Sequence, residues 1–199
     1  MIVMPSNNGK YLVHYWQGKW GGLGHLYSVD GKRGPFDHLP YALDNGRYPA
    51  FTSGKSWDET KYLELLMHYK NSEQQPLWAL VPDVVTDPVG TLQEWDKWLP
   101  IVRDTFGFTP AFAVQDGHTP EDVPKEAKVI FIGGSTQWKR DNIRLFCDSF
   151  PRVHVGRINT YKWLVYCDEC GAESCDGTGW FRGDKKQLDG LRQYLEENA

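Results

Sequence analysis

The 199-residue chain has no uninterrupted apolar run of the length that a bilayer-spanning helix needs. Its first residues, Met1 to Asn8, lack a basic region followed by an apolar core. No secretion leader is therefore expected, and the cytosol is the default compartment (the host cytoplasm for a phage-encoded chain). A phosphate-binding loop is missing too. Gly21-Gly22-Leu23-Gly24 has neither the spacing nor the strand-to-helix context of a nucleotide fingerprint and reads as a plain loop. No Ser-His-Asp order stands out, and none of the six histidines is assigned a role. With no repeat, low-complexity linker or boundary, the chain reads as one domain, long enough to bury a real core.

Cysteine is scarce, with Cys147, Cys167, Cys170 and Cys175 alone. In the cytosol these are expected as reduced thiols. Cys167-x-x-Cys170 with Cys175 carries part of a zinc-ligand spacing, and His154 could supply a fourth ligand. The usual second half, C-x-x-C or H-x-x-x-H, is missing. The expectation is no resident metal, with zinc on Cys167, Cys170 and Cys175 as the alternative.

A net charge of -4 argues against a protein that coats nucleic acid non-specifically. The charge is uneven, however. Between Lys128 and Lys162, seven basic residues stand against two acidic ones. That excess can meet a phosphate backbone or simply form a solvated helix face. The apolar fraction of 40% and charged fraction of 24% are those of an ordinary soluble globular protein. Nine tryptophans supply core and, with tyrosine, can line a pocket for a flat ligand.

Tyr11 to Trp16 and His25 to Val29 are expected as strands, the second closed by Asp30-Gly31. Leu39 to Leu43 is an apolar strand running into Asp44-Asn45-Gly46-Arg47-Tyr48. Trp57 to Tyr69 has helical spacing, with Ser56 as its cap. Leu77 to Val81 is a buried strand ending at Pro82-Asp83. Asp87-Pro88 opens a helix that continues to Phe106, bent by Pro100. Ala111 to Val114 is a strand ending at Gln115-Asp116-Gly117, and Thr119-Pro120 starts a helix. Val129 to Ile132 is a strand ending at Gly133-Gly134-Ser135, followed by a basic-faced helix from Gln137 to Phe150. Arg152 to Val155 is a strand ending at Gly156-Arg157, and a helix runs from Thr160 to Cys170. Gly171 to Gly179 reads as a turn with Asp176 at its tip, bent sharply by Gly177 and Gly179. Lys185 to Asn198 is a polar helix.

Strand, polar or glycine tip, then helix: this alternation implies parallel strands with right-handed crossovers. An open doubly wound sheet and a barrel both satisfy it. The chemically suggestive residues follow several different strands, and they converge most naturally at the C-terminal face of a barrel. The expected fold is therefore α/β, a minimal or incomplete (β/α)8 TIM-like barrel. Its pocket would collect Asp44, Tyr48, Asp83, Gln115, Gly133, Gly134 and Asp176. Three carboxylates, an amide and bare peptide groups beside an aromatic ring suit a flat, nitrogen-rich heterocycle.

These tips resemble those of tRNA-guanine transglycosylases and, most closely, their DNA-acting relatives, the phage and bacterial 7-deazaguanine DNA transglycosylases. Leu43-Asp44-Asn45-Gly46-Arg47-Tyr48 resembles the family's Asp-Ser-Gly-x-Phe stretch. Val81-Pro82-Asp83 falls where the family has its base-recognising aspartate. Val114-Gln115-Asp116-Gly117 resembles Val-Gln-Gly, and Ile132-Gly133-Gly134 resembles the Gly-Gly-Leu turn. His154-Val155-Gly156-Arg157 leading to Ser174-Cys175-Asp176-Gly177 resembles the strand and turn that present the nucleophile. Each match is short; their joint order, over roughly residues 40 to 180, carries the resemblance.

The resemblance implies base exchange. Asp176 would attack C1′ of a guanosine nucleotide to form a covalent glycosyl-enzyme, and Asp44 would handle the protons. Asp83, Gln115, Gly133 and Gly134 would grip the base, with Tyr48 stacked on it and Glu173 kept as a further substrate-binding candidate. Lys139, Arg140, Arg157 and Lys162 would hold the nucleic-acid backbone around an extruded nucleotide. The implied partners are DNA and a free 7-deazaguanine base of the preQ0 or preQ1 type. Since many relatives are dimers, a homodimer is also implied. The family's zinc cluster follows its nucleophile, whereas Cys167, Cys170 and Cys175 precede or adjoin Asp176. That departure favours DNA, or a small substrate, over tRNA. Two other readings use the same pocket: an N-glycosidase that releases the base to water, and a non-catalytic module that binds a modified base or a partner.

Overall fold

A computed structural model describes residues 1–6, 11–31, 34–182 and 184–199. Strands and helices alternate as β1 (Ile2–Pro5), α1 (Tyr11–Trp20), β2 (His25–Tyr27), β3 (Tyr41–Leu43), α2 (Arg47–Thr52), α3 (Glu59–Lys70), β4 (Ala79–Leu80), α4 (Pro88–Leu99), β5 (Pro110–Val114), β6 (Val129–Ile132), α5 (Thr136–Ser149), β7 (Val153–Val155), α6 (Tyr161–Glu169), β8 (Ser174–Gly177) and α7 (Lys185–Glu197). All eight strands run parallel, in the order β1-β8-β7-β6-β5-β4-β3-β2. The two ends of that order meet. Val3 bridges Leu23 and Ser6 bridges Leu26, with the Val3 N–H donating to Gly22 O at 2.8 Å. The result is a nearly closed (β/α)8 TIM-like barrel. Among the described residues no helix is long and apolar enough to cross a membrane.

Period-two alternation divides each strand between two cores. Met4, Leu26, Ala42, Trp78, Leu80, Ala111, Ala113 and Val129 fill the barrel interior. Their chain neighbours Val3, Leu43, Ala79, Phe112, Val114 and Ile130, together with Cys175 of β8, face outward into the helix layer. The tryptophans go mainly to these cores: Trp78 plugs the barrel, and Trp95 and Trp98 of α4 are buried outside it.

Several elements depart from expectation. Tyr11–Trp16 lies in the helix α1, not a strand, because Val13 and Trp16, with Leu12 and Trp20 partly buried beside them, share one helical face. The strand that opens the barrel is Ile2–Pro5. Helix α3 is capped by Asp58, whose side chain accepts the Lys61 N–H, and not by Ser56. Pro100, which lacks an N–H, ends α4 at Leu99 and starts a wider π-helical turn over Pro100–Thr105. The largest correction concerns the stretch expected as a turn around Asp176. Ser174–Gly177 is the eighth strand, paired with β1 and β7 and buried at every residue. Cys175 points to the helices, so Ser174 and Asp176 point into the barrel.

Candidate active site

A cavity of about 620 Å³ opens at the C-terminal ends of the strands. Asp44, Tyr48, Asp83, Gln115, Gly133, Gly134 and Asp176 all line it, so the seven residues collected from separate strand ends share one space. No tryptophan lines it among the described residues; Tyr48, Phe51 and Phe131 supply its aromatic surface.

Asp176 sits at the C-terminal end of β8, only 6% exposed. Its Oδ1 accepts the Arg157 N–H at 3.2 Å and lies 3.1 Å from His154 Nε2. Its Oδ2 accepts from the Ser6 hydroxyl at 3.4 Å. Arg157 can aim its N–H inward because its backbone is left-handed, with φ 61°, which is unusual for a residue with a Cβ. The glycines beside Asp176 serve a different purpose from the one expected. Gly177 is not in the left-handed region; a Cβ there would lie 2.0 Å from Ile158 O, so glycine is required by close approach.

Asp44 follows β3. Burial pushes its carboxyl up to about 7, with the negative charges of Asp176 and Asp83 adding to the rise and hydrogen bonds from Ser28 and the Gly46 N–H opposing it. It is therefore an acid that can give or take a proton near neutral pH. Asp83 is also pushed up by burial, against a hydrogen bond from Asn45 and the charge of Arg47. Its Oδ1 accepts from Asn45 Nδ2 at 2.9 Å and its Oδ2 from Gln115 Nε2 at 3.3 Å.

Gln115 lines the cavity, but its amide is engaged by the protein. Nε2 donates to Val84 O and to Thr91 Oγ1, both at 2.8 Å, and Oε1 accepts the Thr86 N–H at 2.6 Å. It therefore fixes Asp83 and the Thr86 loop. Gly134 has φ 67° and a Cβ there would come within 2.5 Å of Asp116 Oδ1, so only glycine keeps this wall in place.

Among the expected backbone contacts, Arg157 lies in the cavity wall. Its guanidinium donates to the Tyr48 hydroxyl at 2.7 Å and to Gly134 O, and stacks 4.4 Å from the centre of the Tyr48 ring. Three elements at the mouth are tied together by this one side chain. Arg140 and Lys162 are exposed on α5 and α6 but line no part of the cavity. Lys139 departs from expectation: it is 2% exposed, and its amine donates to Gly156 O. Burial pushes that amine down to about 8, with Arg157 adding to the fall. A buried lysine cannot meet a phosphate backbone. Glu173 also departs. It precedes β8, at the opposite end of the barrel, where Arg152 donates to both its oxygens at 2.8 and 2.9 Å.

Among the described residues no group of three or more His, Cys, Asp or Glu is arranged to hold a metal ion. The Cys167 thiol is pushed up to about 12, and that of Cys175 well above its ordinary value, both mainly by burial. Without a metal, such surroundings keep the sulfur protonated.

The residues that sequence reasoning missed are Ser6, Ser174 and His154. His154 is fully buried, with Nδ1 2.8 Å from Ser174 Oγ. The signal available for it was alternation in Val153-His154-Val155, which turns its ring inward between two outward valines. No protein-family model matches the chain, and comparison with curated proteins finds no match.

Proposed function

We propose that this chain is a DNA guanine transglycosylase of the cytosol, exchanging guanine for a 7-deazaguanine base of the preQ0 or preQ1 type. The observation that carries the reading is the pairing of two unlike carboxyls in one cavity. Asp176 is held from behind by His154 and the Arg157 N–H, and Asp44 is tuned to about 7. A fixed carboxylate beside an acid that titrates near neutrality suits nucleophilic displacement with proton transfer.

In the proposed reaction, an Asp176 oxygen attacks C1′ of a guanosine nucleotide held out of its stack. The C1′–O bond forms and the C1′–N9 bond breaks. The electron pair leaves with guanine, which takes the proton from Asp44. The incoming base then gives its N9 proton to the Asp44 carboxylate, attacks C1′, and returns the electron pair to Asp176. Asp83 and the peptide groups of Gly133 and Gly134 face the base edges, and Tyr48, held by Arg157, offers the stacking surface. Exposed Arg182 on the cavity rim, with Arg140 and Lys162 farther out, would meet phosphates.

The test follows labelled guanine in DNA, and in parallel in tRNA, with and without added preQ0 or preQ1. Release from DNA that requires both the added base and the Asp176 carboxylate is the expected result. Release without added base would make the chain a glycosidase. Release from neither polymer, or unchanged release by Asp176→Asn, would overturn the reading.

A further inference from the structure

We propose that His154 and Ser174 form a buried relay that holds Asp176 by Oδ1 and leaves Oδ2 as the oxygen that attacks the sugar, an inference that rests on the transglycosylase reading for its chemistry. Both residues are fully buried, and neither lines the cavity. The imidazole is caged by Trp78, 4.8 Å away between ring centres, and stacked on Phe131 at 5.0 Å. A ring nitrogen buried in an apolar cage is costly to leave without a partner. It has them in Ser174 Oγ at 2.8 Å and Asp176 Oδ1 at 3.1 Å.

The partners fix the tautomer. The proposed attack needs Asp176 ionised, and an ionised carboxylate only accepts, so in a neutral ring Nε2–H donates to Asp176 and Nδ1 accepts from the Ser174 hydroxyl. Serine, histidine and aspartate thus stand in line, but with the access reversed: the carboxylate meets the cavity, and the serine is sealed beneath it. Ser174 anchors the ring instead of attacking.

The two carboxylate oxygens differ as a result. Oδ1 has two N–H donors, His154 and the Arg157 backbone. Among the described residues Oδ2 has the Ser6 hydroxyl alone, at the long distance of 3.4 Å. The less engaged oxygen keeps its lone pairs for bond formation, so the C1′–O bond forms at Oδ2 and breaks there when the second base arrives. His154 touches no substrate, which makes it a positioning residue. Its removal should affect the chemical steps and leave base and polymer binding intact.

Two measurements separate this arrangement from the reading it rests on. The first is nitrogen NMR of the wild-type protein, which needs no activity. A protonated Nε2 on His154, with a signal that moves in Asp176→Asn, is expected; a protonated Nδ1 with bare Nε2 would overturn the relay. The second is exchange kinetics for His154→Leu and His154→Gln, each checked for folding by melting, with Ser174→Ala as the milder variant. The leucine variant should lose roughly 10²-fold in kcat, the effect of a misplaced reacting group, with KM little changed. The glutamine variant, whose amide can donate to Oδ1, should recover most of that loss. A folded His154→Leu with the wild-type kcat would overturn the relay alone. Absence of exchange in the wild type would overturn the transglycosylase reading and the assigned attacking oxygen with it.

Discussion

Asp44→Asn should make the protein more stable in alkali and change little in acid. The unfolded chain releases this proton near 3.8, whereas the folded chain holds it to about 7 because the carboxyl is half-buried in the cavity wall beside Asp176 and Asp83. The sign follows from linkage. The folded state binds the extra proton, so the stability it confers is fully present below 3.8 and is lost as pH rises through about 7. Moving a carboxyl over that interval corresponds to ~4 kcal/mol at ~1.4 kcal/mol per pH unit. Asparagine keeps the shape, carries no charge, and can still accept the Gly46 N–H that Asp44 accepts at 3.2 Å. The variant should gain up to ~4 kcal/mol over wild type near pH 8 and almost nothing near pH 4. For a chain of this size that gain is a rise in Tm of roughly 8–16 °C. Urea unfolding of both proteins at the two pH values measures it directly. The same difference at both, or a loss near pH 8, would refute the half-buried, charge-strained Asp44. Exchange should be lost in the more stable variant, a trade of activity for stability.

Other outcomes follow from the same geometry. Gly177→Ala places a Cβ 2.0 Å from Ile158 O, and such overpacking should cost ~1–3 kcal/mol and lower Tm. A Tm within a degree or so of wild type would show that the β8 end is less confined than described. Glu173→Gln breaks a partly exposed pair with Arg152 at the far end of the barrel, so it should cost at most ~1 kcal/mol and leave exchange unchanged. Loss of exchange in that variant would return Glu173 to the site. The Cys167 thiol, fully buried and pushed up to about 12, should resist an aromatic disulfide reagent in the native state and react on unfolding. Rapid labelling of Cys167 in the native protein would contradict its burial.

The barrel was legible because most strands end in a polar or glycine tip and are followed by an amphipathic helix. Val129–Ile132 running into Gly133 and then α5 is a clear instance. The seven cavity residues were legible for the same reason, since a strand's last inward residue and its tip must face the barrel mouth. What failed depended on knowing which face a residue takes. Tyr11–Trp16 is apolar and short, and such a run does not distinguish strand from helix. Lys139 was counted with a basic face, yet it lies four and seven residues before Ile143 and Phe146, the buried stripe of α5. Ser174–Gly177 has no apolar signature, so the eighth strand read as a turn and its inward pair, Ser174 and Asp176, could not be matched to His154. That pairing exists only in the register between β7 and β8.

The covalent intermediate is the most direct test of the account. Wild-type protein is incubated with a guanine-containing DNA strand and no added base, quenched with acid, and weighed intact, then digested to locate any adduct. The expected species has the mass of protein plus strand minus guanine, is attached at Asp176 and is missing in Asp176→Asn. An adduct at another residue, or base exchange proceeding with no adduct at Asp176, would contradict it.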